Sequence, residues 1–270
     1  MYFKILGPLE VSNGNGPIEL DGLKQRLVLC ALLSATNDVV SVDRLIDWLW
    51  PRDPPRSAAA IVQAHVSRLR RALEPDRTPW SSSGVLLRRP PGYLLRIEPD
   101  QLDALRFGRL VGEGRAALER GDPSAAAEIL ARALGLWRGA ALADVALSDA
   151  AQDTITRLEA QRLSATVMRV EADLELGRHV GLVPELEALV RAYPLDERLC
   201  GQLMIALYRC GRQAESLEVY ERVRAVLADE LDIEPAPASQ RLQAAIRAQH
   251  PDLDLEPRWT IAGRVPVVAD

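Results

Sequence analysis

The chain has 270 residues and a formal net charge of −5 at pH 7, with 48% hydrophobic and 26% charged residues. This is enough apolar sequence to bury the core of one large domain or two ordinary domains. Since no run of eighteen apolar residues and no signal peptide is present, we exclude a membrane-spanning helix and expect a soluble, intracellular protein. Cys30, Cys200 and Cys210 form no CxxC pair and lie in apolar helical patterns, so we expect them in the core rather than at a metal site.

The positive charge is concentrated in one stretch of the chain. Residues 56–96 contain eight arginines and two acidic residues, a local charge of +6, which leaves −11 for the remainder. Such segregation is typical of a protein with one nucleic-acid-binding face and one protein-facing or solvated part, although surface charge is often uneven without a function. The two interpretations are distinguished by the secondary-structure elements on which the arginines lie.

The first twenty residues predict a small antiparallel sheet. Apolar residues favour strands at residues 2–6 and 9–11. Residues 13–16 spell Asn-Gly-Asn-Gly, a strong hairpin-turn sequence, and residues 17–20 would form the returning strand.

Two helices are predicted next. Residues 23–35 carry apolar residues at helical spacing, with Lys24 in the first turn. Residues 42–50 follow Ser41, a suitable N-cap, and end before a proline. The apolar face of this second helix contains Leu45, Trp48 and Leu49. A proline-rich turn then leads to a third helix.

The third helix has two faces of different character. Four apolar residues at helical spacing form one face: Val62, Val66, Leu69 and Leu73. The opposite face carries small residues and two arginines: Ser57, Ala60, Ala64, Arg68 and Arg71, with Ser67 at the edge. Ser57 is a plausible N-cap, and guanidinium groups suit phosphates and guanine edges. Periodicity alone favours an ordinary amphipathic helix with a solvated basic face, but the preceding helix and turn favour a DNA recognition helix in a helix-turn-helix.

A basic hairpin follows the serine-rich loop at residues 81–83. Two short strands, at residues 85–89 and 93–97, flank Pro90-Pro91-Gly92, which places Arg88 and Arg89 at the tip. A hairpin directly after a recognition helix is typical of a wing, whose tip can insert an arginine into the minor groove. Elsewhere such arginines are more often solvated surface charges.

Six short sequences of the chain form a recognisable series: Phe3-x-Ile5-Leu6-Gly7-Pro8-Leu9-Glu10-Val11, Lys24-Gln25-Arg26, Leu49-Trp50-Pro51, Pro54-Pro55, His65-Val66-Ser67-Arg68-Leu69-Arg70-Arg71 and Pro91-Gly92-Tyr93-Leu94. Through these sequences, the chain resembles the Streptomyces antibiotic regulatory protein (SARP) family over about residues 2–250. The resemblance implies a mainly α fold with a small β part, in which a winged helix-turn-helix of the response-regulator output type precedes an all-α activation domain. It also implies a transcription activator of a secondary-metabolite, that is antibiotic, cluster.

The resemblance assigns roles by position. Arg68 matches the arginine that reaches bases, His65 and Arg70 match flanking backbone contacts, and Arg89 matches the wing arginine. Helical geometry favours Arg68 and Arg71 over Arg70, and His65 could equally be a buried core histidine. The complete predicted DNA-binding set is Lys24, Ser57, Gln63, His65, Ser67, Arg68, Arg70, Arg71, Arg88, Arg89 and Tyr93.

From residue 103 the sequence predicts helices only. Gly-centred turns between helices recur at Gly121, Gly177 and Gly211, and the last two are separated by 34 residues, the tetratricopeptide period. An irregular three-unit solenoid would offer a platform to a partner rather than a catalytic pocket. Gly112-x-Gly114 lies inside a helix, where we expect a packing or kink position. The predicted domains are a winged helix at residues 1–97, a tetratricopeptide-like activation domain at 98–250 and a tail or linker at 251–270.

The sequence contains no nucleotide-binding loop, metalloprotease motif or nucleophile elbow, so we expect no enzyme, cofactor or metal. The resemblance implies a homodimer on direct-repeat DNA near the −35 element, in contact with RNA polymerase holoenzyme through sigma region 4. We expect a cytoplasmic, nucleoid-associated protein with no membrane partner. Some relatives continue into ATPase or phosphopeptide-binding domains. The rival hypothesis is a protein-interaction adaptor whose winged helix no longer binds DNA.

Overall fold

The computed structural model describes residues 1–75, 84–145 and 149–254. The predicted serine-rich loop at 81–83 and most of the predicted tail lie outside these residues. The chain divides into two compact units, the first from Met1 to Arg169 and the second beginning at Val170.

The N-terminal sheet has three short antiparallel strands in the order β1-β2-β3, namely β1 (Tyr2–Lys4), β2 (Glu10–Asn13) and β3 (Gly16–Pro17). The predicted returning strand at residues 17–20 is therefore longer than the observed β3, which ends at Pro17. Pro17 has no N–H to continue a ladder, and beyond it only the Ile18 N–H donates back to the Val11 carbonyl, at 2.8 Å.

Three helices follow, α1 (Leu23–Ser34), α2 (Val42–Leu49) and α3 (Ala58–Leu73). Ser41 caps α2 as predicted, since its Oγ accepts the Arg44 N–H at 3.1 Å. The predicted apolar residues of α2 and α3 are buried: Leu45, Trp48, Leu49, Val62, Val66, Leu69 and Leu73. The helical periodicity therefore identified the core-facing sides of both helices.

The wing is a second three-stranded sheet with the order β4-β6-β5, formed by β4 (Val39–Ser41), β5 (Leu86–Arg89) and β6 (Gly92–Leu95). The predicted hairpin is present, but β4 was not predicted. Gly92 makes the pairing of β4 and β6 possible, because a Cβ there would lie 1.8 Å from the Val40 carbonyl oxygen.

The first compact unit extends beyond the winged helix to include α4 (Asp103–Glu119) and α5 (Pro123–Leu134). The Asp103 carboxylate accepts the backbone N–H groups of Ile5 and Leu6 at 2.8 and 3.0 Å. The Arg138 N–H donates to the Leu6 carbonyl at 2.8 Å. The segment after β1 is therefore fixed by residues that lie about 100 to 130 positions later in the chain.

The next four helices are α6 (Asp149–Glu175), α7 (His179–Ala192), α8 (Glu197–Arg209) and α9 (Gln213–Leu231), and α10 (Pro237–Arg247) follows them. Gly121, Gly177 and Gly211 occupy the turns of the α4–α5, α6–α7 and α8–α9 pairs, with φ of 71°, 74° and 76°. In each turn the residue after the glycine donates its N–H to a carbonyl five residues earlier, which closes the helix end in left-handed glycine geometry. The predicted helix–glycine–helix repeat is confirmed at all three positions.

Gly114 is a packing position, as predicted. A Cβ there would lie 2.6 Å from Leu130 Cγ, so the missing side chain lets α4 and α5 approach closely. A Cβ added at Gly112, by contrast, would have no atom within 4 Å.

Candidate nucleic-acid interface

The outer face of α3 lies opposite its buried stripe and is exposed to solvent. Arg68 and Arg71 are both exposed. Among the described residues neither makes a hydrogen bond or an ion pair. Their guanidinium groups can therefore bind an external anion or base edge without first giving up an internal partner.

Small residues flank these arginines. Ser57 stands at the N-cap position, but its side chain makes no capping hydrogen bond. Its backbone, with φ −92° and ψ 12°, is outside the extended region from which a capping side chain reaches the first-turn N–H groups. The Ser67 hydroxyl donates to the Gln63 carbonyl at 2.9 Å, and both residues are exposed. Ser57 therefore occupies the predicted N-cap position, but its side chain does not cap the helix. Gln63 and Ser67 lie on the solvent-exposed face of α3.

Arg70 lies between α3 and the wing. Its Nε donates to the Leu86 carbonyl at 2.9 Å, and its guanidinium carbon lies 5.8 Å from the centroid of the Tyr93 ring. Tyr93 itself is buried, with 6% of its surface exposed. These two predicted DNA-binding residues thus fasten the wing hairpin to α3. The flank position that the helical wheel indicated for Arg70 agrees with this placement.

The wing tip carries two exposed arginines. Arg88 and Arg89 end β5, where Arg88 pairs with Tyr93 and Arg89 with Gly92 across the hairpin. Pro90 and the rest of the turn follow directly. The charged side chains therefore project at the end of a hairpin that Arg70 holds against α3.

A second cationic group adjoins α3 from the start of α1. Lys24 Nζ lies 4.4 Å from the centroid of the Trp50 ring, a cation–π arrangement that fixes an exposed ammonium group. His65 is half-buried, and burial, followed by the charges of Arg68 and Lys24, lowers its pKa. A neutral His65 supplies a hydrogen bond rather than a charge, and its buried Nδ1 has no partner within the described part of the chain.

The structure thus brings together Lys24, His65 and Arg68 on the basic face. Sequence analysis named Trp50 only within the motif Leu49-Trp50-Pro51 and gave it no role, whereas the structure shows that it positions Lys24 on this surface. The available indication was an aromatic residue directly after α2, but nothing local in the sequence reveals that it meets α1.

The described residues contain no group of three His, Cys, Asp or Glu side chains that could hold a metal ion. Within the same residues no helix is long and apolar enough to cross a membrane. Cys30 and Cys200 are buried, and burial raises their thiol pKa values to about 12 and about 11. Such thiols are largely protonated at neutral pH and unsuited to nucleophilic chemistry.

Two family models match the chain in consecutive segments. Residues 17–95 match "Transcriptional regulatory protein, C terminal", and residues 102–247 match "Bacterial transcriptional activator domain". The first match covers α1–α3 and the wing, and the second covers the helical region. Fold and matches together define a winged-helix DNA-binding regulator with a helical activation domain.

Named relatives make the assignment more specific. The chain is 38% identical over 258 residues to Regulatory protein DnrI of Streptomyces peucetius, covering 94% of each chain. It is 41% identical over 246 residues to Regulatory protein AfsR of Streptomyces griseus, covering 91% of this chain and 24% of AfsR. The solved structure of Mycobacterium tuberculosis EmbR in complex with a low-affinity phosphopeptide superposes with a TM-score of 0.87 at 35% identity, covering 93% of this chain and 65% of that chain.

The chain belongs to the Streptomyces antibiotic regulatory protein family of transcription activators. It is a transcription regulator and not an enzyme. The predicted fold class, a winged helix-turn-helix followed by a helical domain, is confirmed. The chain spans nearly all of DnrI but only about a quarter of AfsR.

Proposed function

We propose that this activator binds direct repeats as a homodimer near the −35 element of an antibiotic-cluster promoter and recruits RNA polymerase holoenzyme there, through sigma region 4. The observation that carries the DNA-binding part is the outer face of α3. Two exposed guanidinium groups, Arg68 and Arg71, lack internal partners among the described residues and stand on a helix whose other face is fully packed.

The positions of the cations support two different roles in DNA binding, one in reading a base and the other in holding the DNA backbone. Arg68 lies in the middle of the outer face of α3, where a helix in the major groove meets base edges, and we assign it to guanine. Arg71, Lys24, Arg88 and Arg89 lie at the end of α3, at the start of α1 and on the wing, and we assign them to phosphates and groove walls.

Repeat spacing follows from the shape of DNA. Equivalent faces of the major groove recur once per helical turn, so two protomers in the same orientation require repeat centres about 10–11 base pairs apart, or a multiple of that. Each protomer then presents α3 to the same groove face.

A mobility-shift titration on three operators tests this arrangement. The first has the native spacing, the second carries five extra base pairs between the repeats, and the third carries ten. We expect cooperative binding on the first and third and its loss on the second, since a half turn moves one repeat to the opposite face of the duplex. Full cooperativity on the second operator refutes the head-to-tail dimer. No binding to any operator across a salt series favours the adaptor hypothesis.

Recruitment of polymerase is assigned to the helical region. Residues 97–270 contain 20 arginines, no lysine and 29 acidic residues, a net charge of −9, which suits weak contact with basic surfaces of polymerase. Weak contact is sufficient, because two proteins held on one promoter meet at high effective concentration. A protein acting on chromosomal promoters works in the cytoplasm, on the nucleoid.

A further inference from the structure

The second compact unit exposes large apolar side chains at one of its ends. Four of them are between 40% and 51% exposed: Tyr193, Leu195, Leu231 and Ile233. The first two lie in the turn between α7 and α8, and the other two lie where α9 leads into α10. Glu197, at the start of α8, joins the two connections, because its carboxylate accepts the Ala236 N–H at 2.9 Å and the Ser239 hydroxyl at 2.5 Å. Apolar side chains exposed singly are ordinary, whereas several at one end of a domain are typical of an interaction surface.

The same end of the unit is acidic, and most of its carboxylates have no partner. Residues 225–240 contain four acidic residues and no arginine or lysine. All four are exposed, and within the described residues none makes a side-chain hydrogen bond or an ion pair: Asp229, Glu230, Asp232 and Glu234. The turn between α7 and α8 is flanked by Arg191 and by Arg198, which already pairs with Glu171 at 3.2 Å. Residues 191–198 and 225–240 together carry a net charge of −4.

Two of the four carboxylates lie where a helix favours the opposite charge. The partial negative charge at the C-terminal end of a helix favours cations in its last turn. The last turn of α9 contains Asp229 and Glu230 and no basic residue. Neither carboxylate has a partner among the described residues that offsets this repulsion. Local preferences that are broken without a compensating contact are typical of functional positions.

We propose that this apolar–acidic end, formed by Tyr193, Leu195 and residues 229–234, is the surface with which the helical region contacts RNA polymerase holoenzyme. The inference rests on the recruitment proposed above and names the surface that performs it. The occupant is a basic surface of the polymerase that also presents apolar side chains.

The chemistry of the end favours this kind of occupant. The exposed apolar side chains are removed from water on binding, and the carboxylates meet cations without giving up an internal partner. A net charge of −4 also repels DNA phosphates. The surface therefore suits a protein bound beside the activator on the promoter rather than the promoter DNA itself.

Two double variants of the full chain test the surface in transcription with purified polymerase holoenzyme. Asp229→Arg with Glu230→Arg reverses its charge, and Leu231→Ser with Ile233→Ser removes its apolar part. At equal operator occupancy, measured by footprinting, each should lower the transcript yield about five- to tenfold, the effect of losing an important interface contact. The charge variant should unfold at an unchanged or higher temperature, because the last turn of α9 then carries cations. Its loss of transcript is then not a loss of fold.

Matched controls carry similar changes outside the apolar–acidic end. Glu119→Arg with Glu128→Arg reverses two exposed carboxylates of the first compact unit that have no partner among the described residues. Val180→Ser changes a residue that is 70% exposed at the N-terminal end of α7, away from the turn to α8. Both controls should activate like the unchanged chain, and an equal loss of transcript in the controls overturns the proposal.

The unchanged chain separates failure of this surface from failure of recruitment. If it raises no transcript with holoenzyme at full operator occupancy, recruitment itself is refuted, and the surface with it. If it activates and both double variants activate equally well, recruitment stands and the assignment to the apolar–acidic end is wrong.

Photo-crosslinking identifies the occupant directly. A benzophenone amino acid replaces Leu231 in the full chain, and adducts formed in the promoter complex are mapped by mass spectrometry. We expect adducts on an arginine- or lysine-rich segment of a polymerase subunit, at a yield that Asp229→Arg with Glu230→Arg lowers. Adducts only on a second copy of the chain assign the surface to contact between protomers and overturn the proposal.

Discussion

Arg68, Arg70 and Arg71 are close in sequence, yet the structure predicts three different consequences of replacing each with alanine. Arg70 is engaged internally by the Leu86 carbonyl and the Tyr93 ring. The other two have no internal partner among the described residues. Within a single turn of α3, replacing Arg70 should therefore mainly affect stability, whereas replacing Arg68 or Arg71 should mainly affect DNA binding.

The expected magnitudes follow from these contacts. Arg70→Ala removes a charge-assisted hydrogen bond and a cation–π contact in a half-exposed site, and we expect the free energy of unfolding to fall by about 1–3 kcal/mol. Arg68→Ala and Arg71→Ala should change it by no more than about 0.5 kcal/mol, as for surface substitutions without partners.

DNA binding should give the complementary pattern. Arg68→Ala should lose about 1–3 kcal/mol on the cognate operator and little on unrelated DNA, because a base contact is removed. Arg71→Ala should weaken binding to the cognate operator and to unrelated DNA alike, because a phosphate contact is removed. It should also reduce the slope of log affinity against log salt concentration by about one. Arg70→Ala should abolish the additional effect of Arg89→Ala, since the wing is no longer held in place.

Urea unfolding and operator titrations at several salt concentrations measure both quantities on the same protein samples. If Arg70→Ala leaves the unfolding midpoint unchanged and relaxes specificity as Arg68→Ala does, the assignment of Arg70 to the wing is wrong. A residue without internal contacts should not lower the free energy of unfolding by more than about 1 kcal/mol when it is replaced. If Arg68→Ala does so, the conclusion that Arg68 has no stabilising internal contact is wrong.

Two matched pairs test the packing that supports this interface. Gly112→Ala should stabilise the chain by about 0.5–1 kcal/mol, because the position is open and alanine favours a helix, whereas Gly114→Ala should destabilise it by about 1–3 kcal/mol through collision with Leu130. Asp103→Ala should cost about 2–4 kcal/mol, because two backbone N–H groups lose a charged acceptor, while Asp100→Ala, whose side chain is 75% exposed, should cost less than about 1 kcal/mol. Thermal unfolding measures all four, and equal effects within either pair contradict the structure.

The sequence identified what depends on local periodicity. The buried stripe of α3, the Ser41 cap and the glycine turns at Gly121, Gly177 and Gly211 all follow from spacings of a few residues, and each is found where it was predicted. The basic outer face of α3 was recognisable for the same reason, since helical geometry alone sorts Arg68 and Arg71 to the side opposite the core.

The missed features depend on residues far apart in the chain. The strand β4 contains only Val39–Ser41 and exists because it pairs with β6, more than 50 residues later. Trp50 positions Lys24 across the contact between the end of α2 and the start of α1. Arg70 was placed at the flank by its helical angle, but its acceptor, the Leu86 carbonyl, could not be deduced from α3 itself.

The same long-range contacts determine how the recruiting role proposed for the helical region can be tested. A chain ending at Ile97 would lose Asp103, and with it the acceptor of two N–H groups in the segment after β1. It would also lose Asp144, which pairs with Arg26 of α1. Failure of that short chain to activate would therefore reflect damage to the winged helix as much as the absence of polymerase contacts.

A chain ending at Arg169 retains the complete first compact unit and is the better truncation. We expect it to bind the operator with the specificity of the full chain, because α3, the wing and their supports are all kept, yet to raise no transcript in a purified system with polymerase holoenzyme. Operator occupancy is measured in the same reaction by footprinting, so that transcript is compared at equal binding. If the truncated chain activates as strongly as the full chain at equal occupancy, the surface that recruits polymerase lies within residues 1–169, and the second compact unit must have another role.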